Sequence, residues 1–318
     1  MHIGILGCGR WATFLAWYAD QMGYRVTLWG RSLSSRFKKL RQLRRNDTIA
    51  LPERVCLTGE SSHLSDCDIF LVGVAAQSLR DVLTRWAPDL PRGRTVVLCM
   101  KGLETGTGLR LSQVAEECLG PERPIAVWLG PGHPQDFVGG IPSCMVIDAR
   151  KEALKRELAS VFSGELIRLY YGNDLIGNEI GAAAKNVIGI TAGLLDGGGH
   201  GSLKGALMAR GAYEISRLIR AMGGQALSAY GLCHLGDYEA TLFSPYSHNR
   251  QFGEHTIQNK PFDMLAEGYN TVPALIKLAR DHGVELPICQ VVFDILYDER
   301  DPYEALNALM TRRLRAEF

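Results

Sequence analysis

Short apolar runs recur through the first half of the chain, at residues 3–6, 25–29, 68–74, 95–100, 125–129, 144–147 and 166–170. Each has the four to seven residues of a buried strand, and the stretches between several of them carry apolar side chains at helical spacing, as in Phe14, Leu15, Trp17, Tyr18 and Met22. Strand and helix in alternation predict a mainly parallel, doubly wound sheet with helices on both faces. Ligands of such sheets gather beyond the carboxyl ends of the strands, here residues 7–11, 31, 74–77, 101–102 and 130–132. From about residue 174 the strand-like runs stop and long helical periodicities begin, over 176–195 and 204–222. The pattern predicts an α/β N-terminal domain over 1–173 and an all-helical C-terminal domain over 174–318. The polar, glycine-rich segments 196–202 and 244–255 exceed simple turns and are expected to line a cleft between the domains.

The turn after the first run reads Gly7-Cys8-Gly9-Arg10-Trp11-Ala12, a G-x-G-x-x-A pattern. Gly7 allows a tight turn, Gly9 lets backbone N–H groups approach a pyrophosphate, and Ala12 is small enough for the next helix to pack on the strand. With a strand before it, an amphipathic helix after it and a second strand at 25–29, the unit reads as a Rossmann-type dinucleotide site. The pyrophosphate would sit at the helix N-terminus, with Gly7, Gly9, Arg10 and Trp11 as candidate cofactor contacts. The second strand ends Leu28-Trp29-Gly30-Arg31-Ser32, without the carboxylate that NAD-selective sites present to the ribose. Arg31 offers the fork of donors that a 2′-phosphate requires, so NADP(H) is favoured and NAD(H) stays open. The plainer alternative makes Arg31 a solvated loop residue. Arg36, Lys38, Lys39, Arg41, Arg44 and Arg45 follow, but Leu40 and Leu43 interrupt them, and the run reads as a wet helix face.

At 318 residues the chain has room for two domains, and 46% hydrophobic residues suffice for their cores. Lys and Arg number 35 against 34 Asp and Glu, so the net charge of +1 points to neither nucleic acid nor a membrane surface as partner. A small-molecule substrate recognised locally is expected, and the composition is compatible with a homodimer. Eight cysteines without C-x-x-C spacing suit a reducing cytoplasm. The first apolar run breaks at Gly7, unlike a signal peptide, and no stretch approaches the ~20 apolar residues of a membrane span. No metal site is expected, since Cys233 and His234 are adjacent and adjacent side chains rarely chelate one ion.

Lys185 stands in Gly181-Ala-Ala-Ala-Lys185-Asn186-Val187, with no carboxylate one turn away on either side. Desolvation lowers a lysine pKa toward neutrality, fitting it to exchange a proton with a carbonyl or alcohol oxygen; the alternative is a lysine whose stem covers apolar surface. Lys101 follows a strand end, where a cation binds phosphate or carboxylate or simply meets solvent. Asp237 and the pair Asn249-Arg250 are equally ambiguous when taken singly.

Taken together, these residues belong to segments that resemble the NAD(P)-dependent glycerol-3-phosphate dehydrogenases of the soluble bacterial type. The resemblance runs nearly end to end: GCGRWA, LWGRS, VAAQSLRDVL, KGLETGTG, LGPG, GNEIGAAAKNVIGITAGLLDG, ALMARGAYEISRL, LGDYEAT, SPYSHNRQFGE and AEGYNT. It implies a nucleotide domain followed by a helical substrate domain. It also implies reduction of dihydroxyacetone phosphate to sn-glycerol 3-phosphate for phospholipid synthesis. By resemblance Lys185 exchanges the proton at the C2 oxygen, Lys101 is a substrate-binding cation near the nicotinamide, and Asp237 is a polar partner in the same site. Gly130, Asn186, Thr241, Ser247, His248 and Asn249 would help hold the substrate. Trp11, Arg31, Arg250 and Glu267 would contact the cofactor.

Two positions depart from the family pattern. His248 stands where an arginine is expected to meet the phosphate, and a neutral imidazole offers one donor and no permanent charge, so Arg250 would have to compensate. Gly132-His133 stands where a hydroxyl residue and an aromatic are usual. The same hydride chemistry on another small ketose or polyol phosphate, and a nucleotide-binding sensor without turnover, are the alternatives these departures raise.

Overall fold

The computed structural model describes residues 1–314, 316 and 317. Eight strands form one sheet: β1 (His2–Leu6), β2 (Arg25–Trp29), β3 (Cys56–Thr58), β4 (Ile69–Val72), β5 (Thr95–Leu98), β6 (Ile125–Leu129), β7 (Ser143–Ala149) and β8 (Ile167–Tyr171). Their order is β3-β2-β1-β4-β5-β6-β7-β8. Every neighbouring pair is parallel except β6 with β7, where Trp128 faces Ile147 in antiparallel register. The winding reverses between β1 and β4, and the crevice outside that point is where such sheets bind ligands. β1 is buried along its whole length, as a central parallel strand covered on both faces must be.

The helices of this part are α1 (Arg10–Gln21), α2 (Ser35–Leu43), α3 (Leu79–Trp86), α4 (Leu111–Leu119), α5 (Pro134–Val138) and α6 (Glu152–Phe162). One aromatic cluster fastens α1 to the sheet. Phe14 stacks on Phe137 at 4.9 Å, Tyr18 meets Trp128 edge-on, and the Tyr18 hydroxyl donates to the Phe162 carbonyl at 2.8 Å. Burial pushes the Tyr18 phenol up to about 12, so it stays a donor.

The remaining helices are α7 (Leu175–Gly197), α8 (Lys204–Ala221), α9 (His248–Ile257), α10 (Glu267–Asp281), α11 (Pro287–Tyr297) and α12 (Pro302–Met310), with no strand after β8 among the described residues. α7 and α9 cross with their backbones in contact. A Cβ on Gly193 would overlap the Arg250 carbonyl, and one on Gly253 would overlap that of Ile190. α8 holds the start of α11: Glu214, fully buried, accepts from the N–H groups of Ile288 at 2.8 Å and Cys289 at 3.0 Å, capping a neighbouring helix whose first turn lacks a side-chain cap of its own. Burial pushes the Glu214 carboxyl up to about 7 against those two bonds.

Internal contacts divide the chain into two compact units, Met1–Lys101 with Leu109–Glu179, and Gly102–Gly108 with Ile180–Phe318. Positions 315 and 318 lie outside the described residues. By internal contacts the division falls inside α7, and hydrogen bonding gives the reason. Glu179 accepts from Arg110 Nη1 at 2.5 Å, the Ser112 N–H at 2.8 Å and the Ser112 hydroxyl at 2.6 Å, and Asn178 donates to Asp148 Oδ2 at 2.8 Å, so the first turn of α7 stays with the sheet. The eight cysteines are free thiols. Among the described residues no helix is long and apolar enough to cross a membrane.

Candidate active site

In the sheet unit, the chain leaves β1 through Gly7, whose φ of +124° suits glycine alone and where a Cβ would lie 2.6 Å from the Gly73 carbonyl oxygen. Gly9 is the N-cap of α1 and offers no side chain to the first-turn N–H groups. The nearest atom to a Cβ placed on it is Arg36 Nη1 at 3.9 Å, so the face above the turn is open. An open, uncapped helix start is an anion site. Trp11 lies against Phe14 at 4.9 Å, and its buried Nε1 has no hydrogen-bond partner among the described residues. Arg10 is held below its usual pKa by burial first and then by the charge of Arg36.

Arg36 adds to the sequence reading, since it is exposed as a wet helix face requires and also reaches the glycine turn. It belongs to the basic run taken as a wet helix face, yet its place in the first turn of α2 brings the guanidinium to the glycine turn. The available signal was Ser34, the N-cap of α2, which accepts from the Phe37 N–H at 3.4 Å and sets the helix to start directly after Arg31 and Ser32. Arg10 and Arg36 with the uncapped start of α1 fit the phosphates of a dinucleotide.

Also in this unit, the Lys101 ammonium donates to the Gly130 carbonyl at 2.6 Å, joining the ends of β5 and β6. Gly132, one of the two departures, has φ +148°, and a Cβ there would overlap the Phe137 ring. The hydroxyl residue usual at this position is therefore excluded by packing: Phe137 occupies its space to stack on Phe14.

In the helical unit, α7 presents Lys185, 8% exposed, to a short turn and a single π turn that follow α8. Its Nζ lies 3.1 Å from Asp237 Oδ1 and donates to the Thr241 hydroxyl at 2.6 Å, which donates in turn to the Asp237 carbonyl at 2.6 Å. Asp237 and Thr241 are each 1% exposed. The structure thus joins three predicted residues in one buried cluster. It is a charge pair taken out of water, which persists only because each partner answers the other.

The next residue on α7, Asn186, accepts from Asn249 Nδ2 at 3.1 Å, and Asn249 Oδ1 accepts from the Gly268 N–H at 2.9 Å, linking α7, α9 and α10. Glu267 precedes Gly268 in the first turn of α10. Ser247 is the N-cap of α9, its hydroxyl accepting from the Arg250 N–H at 3.4 Å. His248 Nδ1 donates to the Leu265 carbonyl at 3.1 Å. Arg250 does not stand ready for a phosphate: its Nη1 donates to Asp196 Oδ2 at 2.9 Å and Glu254 Oε2 at 3.3 Å, and its Nε to the Ser244 carbonyl. Two carboxylates already answer its charge.

A dinucleotide-type sheet unit followed by a helical unit carrying a buried lysine–carboxylate pair suits a nucleotide-dependent dehydrogenase, in which one part binds the nucleotide and the other moves a proton. Family profiles narrow the class. That described as NAD-dependent glycerol-3-phosphate dehydrogenase N-terminus matches residues 2–155, and its C-terminus counterpart matches 174–307. The chain belongs to the NAD-dependent glycerol-3-phosphate dehydrogenase family and is an NAD(P)-dependent oxidoreductase. Glycerol-3-phosphate dehydrogenase [NAD(P)+] 2 of Salinibacter ruber is 37% identical, over 99% of this chain and 96% of its own length. The corresponding protein of Caulobacter vibrioides is 36% identical, over 99% and 98%. The crystal structure of glycerol-3-phosphate dehydrogenase from Coxiella burnetii superposes with a TM-score of 0.90 at 27% identity, covering 98% of this chain and 99% of that one. A yeast glycerol-3-phosphate dehydrogenase, at 18% identity and a TM-score of 0.78 over 96% and 98% of the two chains, shares the fold.

Proposed function

We propose that the chain reduces dihydroxyacetone phosphate to sn-glycerol 3-phosphate for phospholipid synthesis, with NADPH preferred over NADH and Lys185 as the proton donor. The observation that carries this reading is the buried Lys185–Asp237–Thr241 cluster. Reduction of a ketone adds hydride at carbon and a proton at oxygen; the nicotinamide, when bound, supplies the hydride. The ammonium of Lys185 supplies the proton to the C2 oxygen, and Asp237 stabilises the charged form before transfer. Thr241 fixes the direction of the lysine side chain. Asn186, Ser247, His248 and Asn249 hold the substrate's phosphate and hydroxyl groups.

The preference for NADPH is supported by the absence of a carboxylate after β2, by the guanidiniums of Arg10 and Arg36 at the glycine turn, and by the charge of Arg31, which acts on Cys8 within that turn, since a 2′-phosphate answers such charge. Steady-state assays of the purified protein with NADPH and NADH, dihydroxyacetone phosphate and a panel of other ketoses and ketose phosphates test substrate and cofactor together. Lys185→Ala is expected to lower turnover by roughly 10²- to 10⁴-fold with nucleotide binding intact. Near-parental turnover in that variant would remove Lys185 from the chemistry. Equal use of the two nucleotides would remove the cofactor preference, and turnover of another ketose alone would replace the substrate.

A further inference from the structure

Behind Lys185 and Asp237 lies a second buried pair that proton transfer itself does not use. His234 and Tyr238 have no exposed surface. His234 Nδ1 donates to the Gly181 carbonyl at 2.8 Å, and His234 Nε2 accepts from the Tyr238 hydroxyl at 2.7 Å, the rings meeting edge-on at 4.8 Å. A carbonyl only accepts, so the 2.8 Å bond to Gly181 assigns the proton to Nδ1, while the Gly211 carbonyl of α8 also lies against the ring. Burial pushes the imidazole down to about 4 and the phenol well above its usual value, so the ring is neutral and the hydroxyl protonated.

The position of this pair matters more than its chemistry. Gly181 precedes Lys185 by one turn of α7, so its carbonyl is also the helical acceptor of the Lys185 N–H. Only glycine admits the contact, since a Cβ at 181 would lie 2.9 Å from His234 Cβ. At the other end Tyr238 follows Asp237 directly, and its carbonyl accepts from the N–H groups of Thr241 at 3.0 Å and Leu242 at 2.7 Å. The pair thus spans from the turn of helix that carries Lys185 to the backbone that carries both partners of its ammonium.

We infer that His234 and Tyr238 are positioning residues for proton transfer, clamping the segment 235–243 to α7 so that Asp237 and Thr241 meet the Lys185 ammonium at its working geometry. The inference rests on Lys185 being the proton donor. A reacting group displaced by about 1 Å loses on the order of 10²-fold in rate, so a clamp of this kind acts on turnover before it acts on binding.

Two variants test it. Tyr238→Phe removes one hydroxyl and leaves the ring. His234→Asn keeps a donor for the Gly181 carbonyl and removes the acceptor for Tyr238. Each is expected to lower kcat roughly 10- to 100-fold while the KM values for dihydroxyacetone phosphate and NADPH stay unchanged. The solvent deuterium isotope effect on kcat should rise, because a misplaced donor makes proton transfer slower relative to the other steps. Loss of packing alone would lower the thermal midpoint and the active fraction without moving the isotope effect. If both variants match the parent in kcat and isotope effect while Lys185→Ala is inactive, the positioning role falls and the proton-donor reading stands. If Lys185→Ala keeps its turnover, both fall. Tyr238→Phe, the smaller change, decides the case alone should His234→Asn fail to fold.

Discussion

The two units offer their functional residues in opposite ways. In the sheet unit the essential feature is what is missing: no side chain on Gly7 or Gly9, no cap on α1, and exposed guanidiniums at Arg31 and Arg36. In the helical unit it is what is enclosed: Lys185, Asn186, Asp237 and Thr241 are 8%, 4%, 1% and 1% exposed. Backbone N–H groups and a helix dipole recognise an anion wherever open space lets it approach. Moving a proton at a chosen oxygen requires charges placed beforehand in a medium too dry to screen them.

The largest effect that would sharpen this contrast is expected from Asp237→Asn, which leaves the Lys185 ammonium buried without its counter-charge, a change worth about 3–5 kcal/mol. Turnover should drop while nucleotide affinity, measured by titration, is untouched; parental kcat would show that the lysine needs no carboxylate. Gly7→Ala should behave in the reverse sense. Its φ of +124° alone costs about 1–3 kcal/mol with a side chain present, before the contact with the Gly73 carbonyl is counted, so nucleotide affinity and thermal midpoint should fall together. A fall in kcat only would break the division of labour.

Glu214→Gln probes enclosure without touching the chemistry. The Glu214 carboxyl, raised to about 7 from 4.5, adds stability that is fully present below pH 4.5 and lost as pH rises through 7. His234, lowered to about 4 from 6.5, adds stability present above pH 6.5 and lost as pH falls through 4. The two slopes oppose each other over the same window. Removing the carboxyl should expose the histidine, and the variant should lose roughly 2 kcal/mol between pH 7 and pH 5 in urea melts where the parent stays nearly flat. Identical slopes would show that these groups do not set the pH response. The smallest effect is expected from Arg31→Ala: roughly tenfold in the KM for NADPH, the worth of one charge-assisted contact, with NADH unaffected. Equal losses would sink the 2′-phosphate assignment.

The same contrast explains how much could be read from the chain beforehand. Gly7, Gly9 and Ala12 announce themselves because a backbone requirement leaves its mark on neighbouring letters, and seven of the eight strands stand out as apolar runs. β3 escapes, since Cys56–Thr58 is three residues long and only Thr58 is buried. The antiparallel pairing of β6 with β7 also escapes, because an apolar run carries no direction. Arg36 reads as a surface cation until the start of α2 is known to face the glycine turn. In the helical unit Lys185 meets Asp237 across the whole of α8, and no local pattern records such a meeting; the apolar run around Lys185 marked the lysine alone, and likeness to a family brought in Asp237 and Thr241. Gly132 marks the limit in the other direction. Its departure from the family looked like altered substrate contact, and the Phe137 ring gives it a packing cause.

The passage of residues 102–108 into the helical unit bears on how this molecule could be recombined. The chain changes unit three times, after Lys101, Gly108 and Glu179. Within the helical unit the Thr105 hydroxyl donates to the Asn270 carbonyl at 2.7 Å, so the excursion is anchored. The helical unit is therefore a discontinuous module. A hybrid spliced at 173/174 would take residues 102–108 from one parent and the helix that receives them from the other. Exchange of the nucleotide unit between relatives would keep both halves native only if the short excursion travelled with everything from Ile180 onward.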